Sequence, residues 1–403
     1  MDTEQGKESH SSSSSIWSRA TDSWLLHIHQ PLDIVRWFMP SWFTVSMGTG
    51  ILATCIGRIP YDISAVRTIG AILFFANIGL MVIFSLLLMA QPCVNPSIST
   101  YMRVHPRRML HYGAVPMALG TVVAGIGTYG FYDTSSVALY VGWAIWWVSV
   151  ALASVTSMLV VYIAVSRQTG GVESVTGAWL LLVAPLAVCA TAGASIAAYL
   201  PASQAFVTLF VGYALLGAGA PLTCCIVVLY VHRLAVYKMP PHNSILTSFI
   251  PLGPVGQIGV GAISLGRVAP LVLAQMGGVG EQGKLLTDLG GSLDAFMLNA
   301  GILVALLVWG SCVFWAAHAI FSVAYQRRTN KIPFNISWWA LTFPVGVFAT
   351  LTAEIADLLD LWFFQVCFLA LVALLSLLWL FNIARTLVGV WTGSIFGISE
   401  LQD

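Results

Sequence analysis

The chain has 403 residues, of which 58% are hydrophobic and only 8% charged, with a formal net charge of +1. A soluble domain carries about a quarter charged residues, so a surface wetted by water on all sides is excluded. The near-neutral total also gives no footprint for nucleic acid, and no cofactor is expected.

Residues 1–23 are polar, with the run HSSSSS at 10–15, and read as a disordered cytoplasmic tail whose acidic start excludes a signal peptide. Residues 24–39 mix Trp and Leu with His, Asp and Arg (WLLHIHQPLDIVRWF at 24–38), the pattern of an interfacial segment. Residues 40–390 form one ten-helix domain. Its apolar runs are 40–56, 66–90, 111–131, 137–164, 177–199, 202–230, 244–270, 292–321, 335–355 and 361–389, most of them near the roughly 20 residues that span a bilayer. None shows the two-residue alternation of barrel strands. The expected fold class is therefore an all-α polytopic membrane protein. Residues 94–108 and 233–243 read as cytoplasmic connectors, 273–291 as one long outer loop made flexible by its glycines, and 391–403 as a cytoplasmic C-terminal tail.

With both termini in the cytosol, thirteen of the seventeen Lys and Arg fall on the inner side and four (Arg58, Arg67, Arg267, Lys284) outside. That bias is the positive-inside signature. Acidic residues divide evenly, so the inner side is net positive and draws anions toward it.

Prolines inside the runs repeat. Pro116-Met117-Ala118, Pro185-Leu186-Ala187, Pro254-Val255-Gly256 and Pro344-Val345-Gly346 each join proline, an apolar residue and a small one, on odd-numbered spans. Pro40 heads the first span. A proline removes a backbone donor and kinks a helix; such breaks survive in a membrane where protein or a water-filled cavity satisfies the freed groups. The spacing predicts five helical hairpins around a central pore, with odd helices inner and kinked and even helices outer.

No charged side chain falls near the centre of a span. The pathway, if uncharged, would offer hydroxyls, amides and exposed helix-dipole ends. Polar candidates on odd helices are Ser46, Thr49, Thr121, Thr191, Ser195, Gln257, Ser264, Thr342 and Thr350, with Gly253 and Gly256 in the glycine-rich PLGPVGQIGVG (251–261). Arg267 and Glu354 lie toward outer ends. Phe343 precedes its proline where the other repeats have Val115, Ala184 and Gly253, and one ring among small counterparts could plug a pore. Cys55, Cys189, Cys224, Cys312 and Cys367 stand alone within spans as small hydrophobes, and no zinc spacing appears, so no metal is expected. GVGEQGK (278–284) lacks the Ser or Thr of a P-loop. His318 is a remote candidate for a polytopic membrane enzyme.

Three stretches carry a resemblance: WFMPSWFTVSMGTGI (37–51), PLGPVGQIGVGAISLG (251–266) and WWALTFPVGVFAT (338–350). They resemble the tellurite-resistance/dicarboxylate transporter superfamily, which includes plant slow anion channels, fungal malate permeases and fungal sulfite efflux pumps. The first two motifs are most similar to those of the sulfite pumps, and the resemblance covers roughly residues 30–390. It implies a non-enzymatic plasma-membrane exporter of sulfite or bisulfite, in contact with membrane lipid and assembled as a homotrimer. It also implies that Phe343 crosses the pore as a gate; Ser46, Thr49, Gln257, Gly253, Gly256, Thr342 and Thr350, read from the residues themselves, are the expected substrate path. A malate or other C4-dicarboxylate permease is the alternative.

Overall fold

The computed structural model describes residues 31–36, 38–96, 109–130, 137–167, 171–240, 242–277, 280–329, 332–392 and 395. The expected N-terminal tail, most of the 94–108 connector and nearly all of 391–403 lie outside these. Within the interfacial segment, Pro31–Arg36 forms a short helix.

Among the described residues there is no strand. The longer helices, in chain order, are α1 (Phe43–Gly57), α2 (Ser64–Val94), α3 (Ala114–Tyr129), α4 (Val137–Arg167) and α5 (Ala184–Ala197). They continue with α6 (Ala202–Tyr237), α7 (Leu252–Gly277), α8 (Gly280–Thr329), α9 (Thr342–Leu359) and α10 (Trp362–Trp391). Eight helices are long and apolar enough to cross a membrane. The 15-residue α1 and the 14-residue α5 are shorter.

The contacts between helices close on themselves. α1 packs on α3, α3 on α5, α5 on α7, α7 on α9, and α9 returns to α1. Each of these ring helices also packs along the helix that follows it. Burial separates the two sets: 83% of the apolar stretch of Ile336–Leu359 is buried, against 22% for Trp362–Trp391. The second set turns large apolar side chains outward, among them Ile72, Phe75, Met158, Phe210, Phe314, Phe321 and Leu377. A surface so apolar and so extensive is one that lipid covers. The chain is a multi-pass membrane protein.

The proline repeats sit where each ring helix begins. Pro116, Pro185, Pro254 and Pro344 all fall in the first turn of their α-helix, and each helix follows a 3-10 segment: Leu110–Gly113, Gly177–Leu182, His242–Phe249 and Ile336–Leu341. Pro40 instead heads the 3-10 segment Pro40–Trp42 before α1. The predicted mid-helix kinks at these prolines are thus helix starts, where a missing N–H costs little. Prolines inside helices are Pro92 in α2, Pro221 in α6 and Pro270 in α7. The five 3-10 segments form a second closed ring, each touching the next.

Side chains of the covering helices tend the carbonyls around the breaks. Ser149 donates to the Pro116 carbonyl at 2.8 Å, Ser157 to Leu182 at 2.6 Å, Trp146 to Cys189 at 2.8 Å and Asn382 to Trp338 at 3.1 Å. In lipid, with no water at hand, such partners are obligatory.

Two expectations are corrected. The 273–291 stretch is helical, except for residues 278–279 outside the description: α7 runs to Gly277 and α8 begins at Gly280. Leu285, Leu286, Leu289 and Leu293 recur at helical spacing there, and each glycine costs a helix only about 1 kcal/mol. Cys224 is exposed rather than buried, whereas Cys55, Cys189 and Cys312 are buried as expected.

The 3-10 ring depends on two glycines. A Cβ on Gly113 would overlap the Leu181 carbonyl, and one on Gly177 the Thr247 carbonyl. Pro185, four residues beyond Leu181, has no N–H to bond that carbonyl, whereas the Thr247 carbonyl accepts from the Ile250 N–H at 3.0 Å. Gly113→Ala is therefore expected to cost about 2 kcal/mol, the scale of overpacking, read as a lowered melting temperature in detergent. Gly79→Ala in α2, with nothing within 4 Å of the added carbon, should be neutral or slightly stabilising.

Candidate functional site

The ring encloses two chambers. The larger, about 420 Å³, is lined from all five ring helices: Thr54 and Arg58 near the end of α1, Thr121 and Thr128 on α3, Thr191 and Ser195 on α5, Gln257, Ser264 and Arg267 on α7, and Thr350 and Glu354 on α9. The smaller, about 60 Å³, lies among the 3-10 segments and first turns, with Thr44, His111, Ala184, Gly253 and Ser337 in its wall. Phe343, 7% exposed, is the residue common to both linings. Its place in the first turn of α9 follows from Pro344 beside it.

At the far end of the larger chamber a carboxylate lies between two guanidiniums. Arg58 Nη1 is 2.6 Å from Glu354 Oε1, and Arg267 Nη2 is 2.9 Å from Glu354 Oε2. Ser264 donates to Glu354 Oε1 at 3.3 Å, and the other Arg58 nitrogen reaches Asp357 at 3.1 Å. The two guanidiniums are thus matched by two carboxylates, and the cluster carries no net charge.

The predicted path residues divide. Gln257, Thr350, Thr121, Thr191, Ser195 and Ser264 line the larger chamber with Arg267 and Glu354. Gln257 donates to Thr191 Oγ1 at 2.7 Å. Gly253 lines the smaller one. Ser46 and Thr49 turn away from both: Ser46 donates to Asn77 of α2 at 2.7 Å, and Thr49 accepts from the Trp379 indole of α10 at 3.0 Å. Gly256 packs on Val347 and Cys312, and Thr342 lies against Gly48 while donating to the Trp339 carbonyl. His318 packs among Phe314 and Trp315 and lines neither chamber.

Two side chains at or beside the candidate site were not singled out from sequence. Arg58 follows directly on α1, and only its proximity to Glu354, 296 positions away, gives it a role. Asn77, fully buried on a covering helix, reaches between α1 and α3, takes the Ser46 proton and donates to Thr121 at 3.1 Å. A carboxamide in the middle of an otherwise apolar run was the available signal.

Neutralising Glu354 would leave two facing guanidiniums. Glu354→Gln is expected to lower the melting temperature by an amount equivalent to about 3 kcal/mol or less, the scale for breaking a buried pair, since both arginines are part-exposed. Raising chloride should recover part of the fall through screening and occupancy. A fall that salt leaves untouched would point to packing alone.

Comparison with known proteins bears on what such a chamber passes. The profile of the SLAC1 voltage-dependent anion channel family matches residues 37–387. The sulfite efflux pump SSU1 of Trichophyton rubrum is 30% identical over 360 residues, covering 89% of this chain and 92% of that protein. The pump of the same name from Candida albicans is 27% identical over 335 residues, covering 80% and 67%. The malic acid transport protein of Schizosaccharomyces pombe is more distant, 21% identical over 339 residues, covering 84% and 75%.

Proposed function

The chain belongs to the voltage-dependent anion channel family, and from that footing we propose that it exports sulfite or bisulfite through its helix ring, with Phe343 as the gate. The observation that carries the reading is the chamber drawn from all five ring helices and closed at Phe343, the one residue shared with the second chamber. Relatives described as sulfite efflux pumps, matched over most of both chains, support sulfite as the cargo. Ten spans arranged as five hairpins, odd helices inside, complete the proposed architecture; the closed contacts among ring helices support it. In this reading the excess of Lys and Arg sets both termini in the cytosol, the 3-10 ring faces inward and the Arg58–Glu354–Arg267 cluster faces out. Plasma-membrane placement and homotrimeric assembly belong to the same proposal, on family resemblance.

A phenyl ring across a narrow apolar constriction gates by dewetting. The smaller chamber's wall, mostly apolar with Met47, Met117, Leu181, Ile250, Ile336 and Trp339 beside a few hydroxyls, supports such a constriction. Gln257, whose amide reaches the chamber, is the proposed polar contact for the passing oxyanion.

The competing reading, a C4-dicarboxylate permease, draws on the two guanidiniums as carboxylate partners. They are already engaged by Glu354 and Asp357. Vesicles holding the purified protein decide between them: protein-dependent sulfite efflux that excess malate barely inhibits is the expected result. Malate flux without sulfite flux would reverse the assignment.

Phe343→Ala separates gate from packing. A gate predicts raised anion leak per folded protein, by tenfold or more if the dewetting barrier exceeds about 1.4 kcal/mol, at modest loss of melting temperature. A packing role predicts a cavity cost of about 3–5 kcal/mol on the soluble-protein scale with flux unaltered or reduced.

A further inference from the structure

The hydroxyls of the larger chamber spend their protons on their own helices, and we propose that the chamber passes the protonated monoanion, hydrogen sulfite, in preference to the sulfite dianion; the inference rests on the sulfite reading above. Thr54 donates to the Gly50 carbonyl at 3.0 Å, Thr128 to Ala124 at 2.9 Å and Thr191 to Ala187 at 3.0 Å. Ser195 and Thr350 likewise donate to Ala192 and Gly346, at 2.7 and 2.9 Å. A hydroxyl has one proton and two lone pairs. With the proton committed to its own helix, each oxygen has only lone pairs left to offer the chamber.

The backbone is committed in the same way. At the starts of α1, α3 and α9 the N–H groups of Phe43, Ala114 and Thr342 bond carbonyls of the preceding 3-10 turn. In α7 the Gly253 N–H bonds Ile250 at 3.0 Å. The exposed dipole ends expected from sequence are thus occupied. An oxyanion without a proton meets these hydroxyl oxygens lone pair against lone pair, an unpaired contact. Hydrogen sulfite in its O–H form brings a donor for them, while Gln257 and the arginines supply donors to its own oxygens.

Charge points the same way. Arg58 and Arg267 face Glu354 and Asp357, so the cluster sums to zero, and a dianion would bring twice the uncompensated charge of a monoanion. The other titratable group in the lining is Tyr199 of α5, and His111 faces the smaller chamber.

The test uses the full chain in vesicles, with protein-free vesicles subtracted to remove neutral sulfur dioxide crossing lipid. Sulfite efflux is measured in two buffer series spanning the second ionisation of sulfurous acid. One series holds hydrogen sulfite constant, the other the dianion. The expected result is constant flux in the first and flux that tracks the monoanion in the second. The opposite pattern overturns this inference and leaves the sulfite reading standing; absence of protein-dependent flux in both removes the sulfite reading itself. Thr54→Val and Thr350→Val, which keep shape and remove acceptors, should each lower monoanion flux roughly fivefold, the worth of one hydrogen bond. Thr350→Ser should retain it. Valine variants that melt like the parent and transport equally well would also overturn the proposal.

Discussion

A backbone group that has left its helix inside a bilayer has no water to turn to, and it must find its partner within the protein. This chain sets itself that problem five times, because each ring helix begins within the protein after a 3-10 segment. The solution is collective. The 3-10 turns bond the first N–H groups of the helices they lead into, the covering helices supply Ser149, Ser157, Trp146 and Asn382 to nearby carbonyls, and glycines let successive segments approach. Ser149 and Asn382 serve their own hairpins, whereas Ser157 and Trp146 cross to the next one, so the partners also tie neighbouring hairpins together.

The same satisfaction shapes the chemistry of the chambers. The hydroxyls of the larger chamber bond carbonyls of their own helices and so need no ligand to be satisfied. Stronger electrostatics are held at one end, where Glu354 keeps two guanidiniums from facing each other unpaired. Phe343 lies between the chambers because its counterparts before the other prolines are Val115, Ala184 and Gly253; only one repeat brings a ring to that level. The gate, the uncharged wall and the charged end thus occupy successive depths of one ring in the proposed function.

Much of the site could be read from residue type and span number. Gln257, Thr350, Arg267, Glu354 and Phe343 were singled out because polar, charged or bulky groups are conspicuous in such apolar runs, and each lines a chamber. Ser46, Thr49, Gly256 and Thr342 were equally conspicuous, yet they face neighbouring helices. The difference is azimuth. α1 and α9 are apolar and buried on every side, so no stripe in their sequence marks the face that meets the cavity. Asn77 escaped notice because it belongs to a covering helix and acts through Thr121.

The sequence alone determined that the chain lives in lipid, is helical, repeats a proline-bearing unit and resembles an anion-transporting superfamily, since composition, run length and motif are properties of one dimension. It did not determine where helices begin: prolines read as kinks became first-turn residues, and a glycine-rich loop became the end of α7 and the start of α8. Proline fits a kink and a first turn equally well, and what chooses between them is whether a preceding 3-10 segment finds a neighbour to pack on. Arg58 meeting Glu354 across 296 positions is the same lesson for the site. Pairings between distant residues, and the face each helix turns inward, are set by the closure of the ring, which exists only in three dimensions.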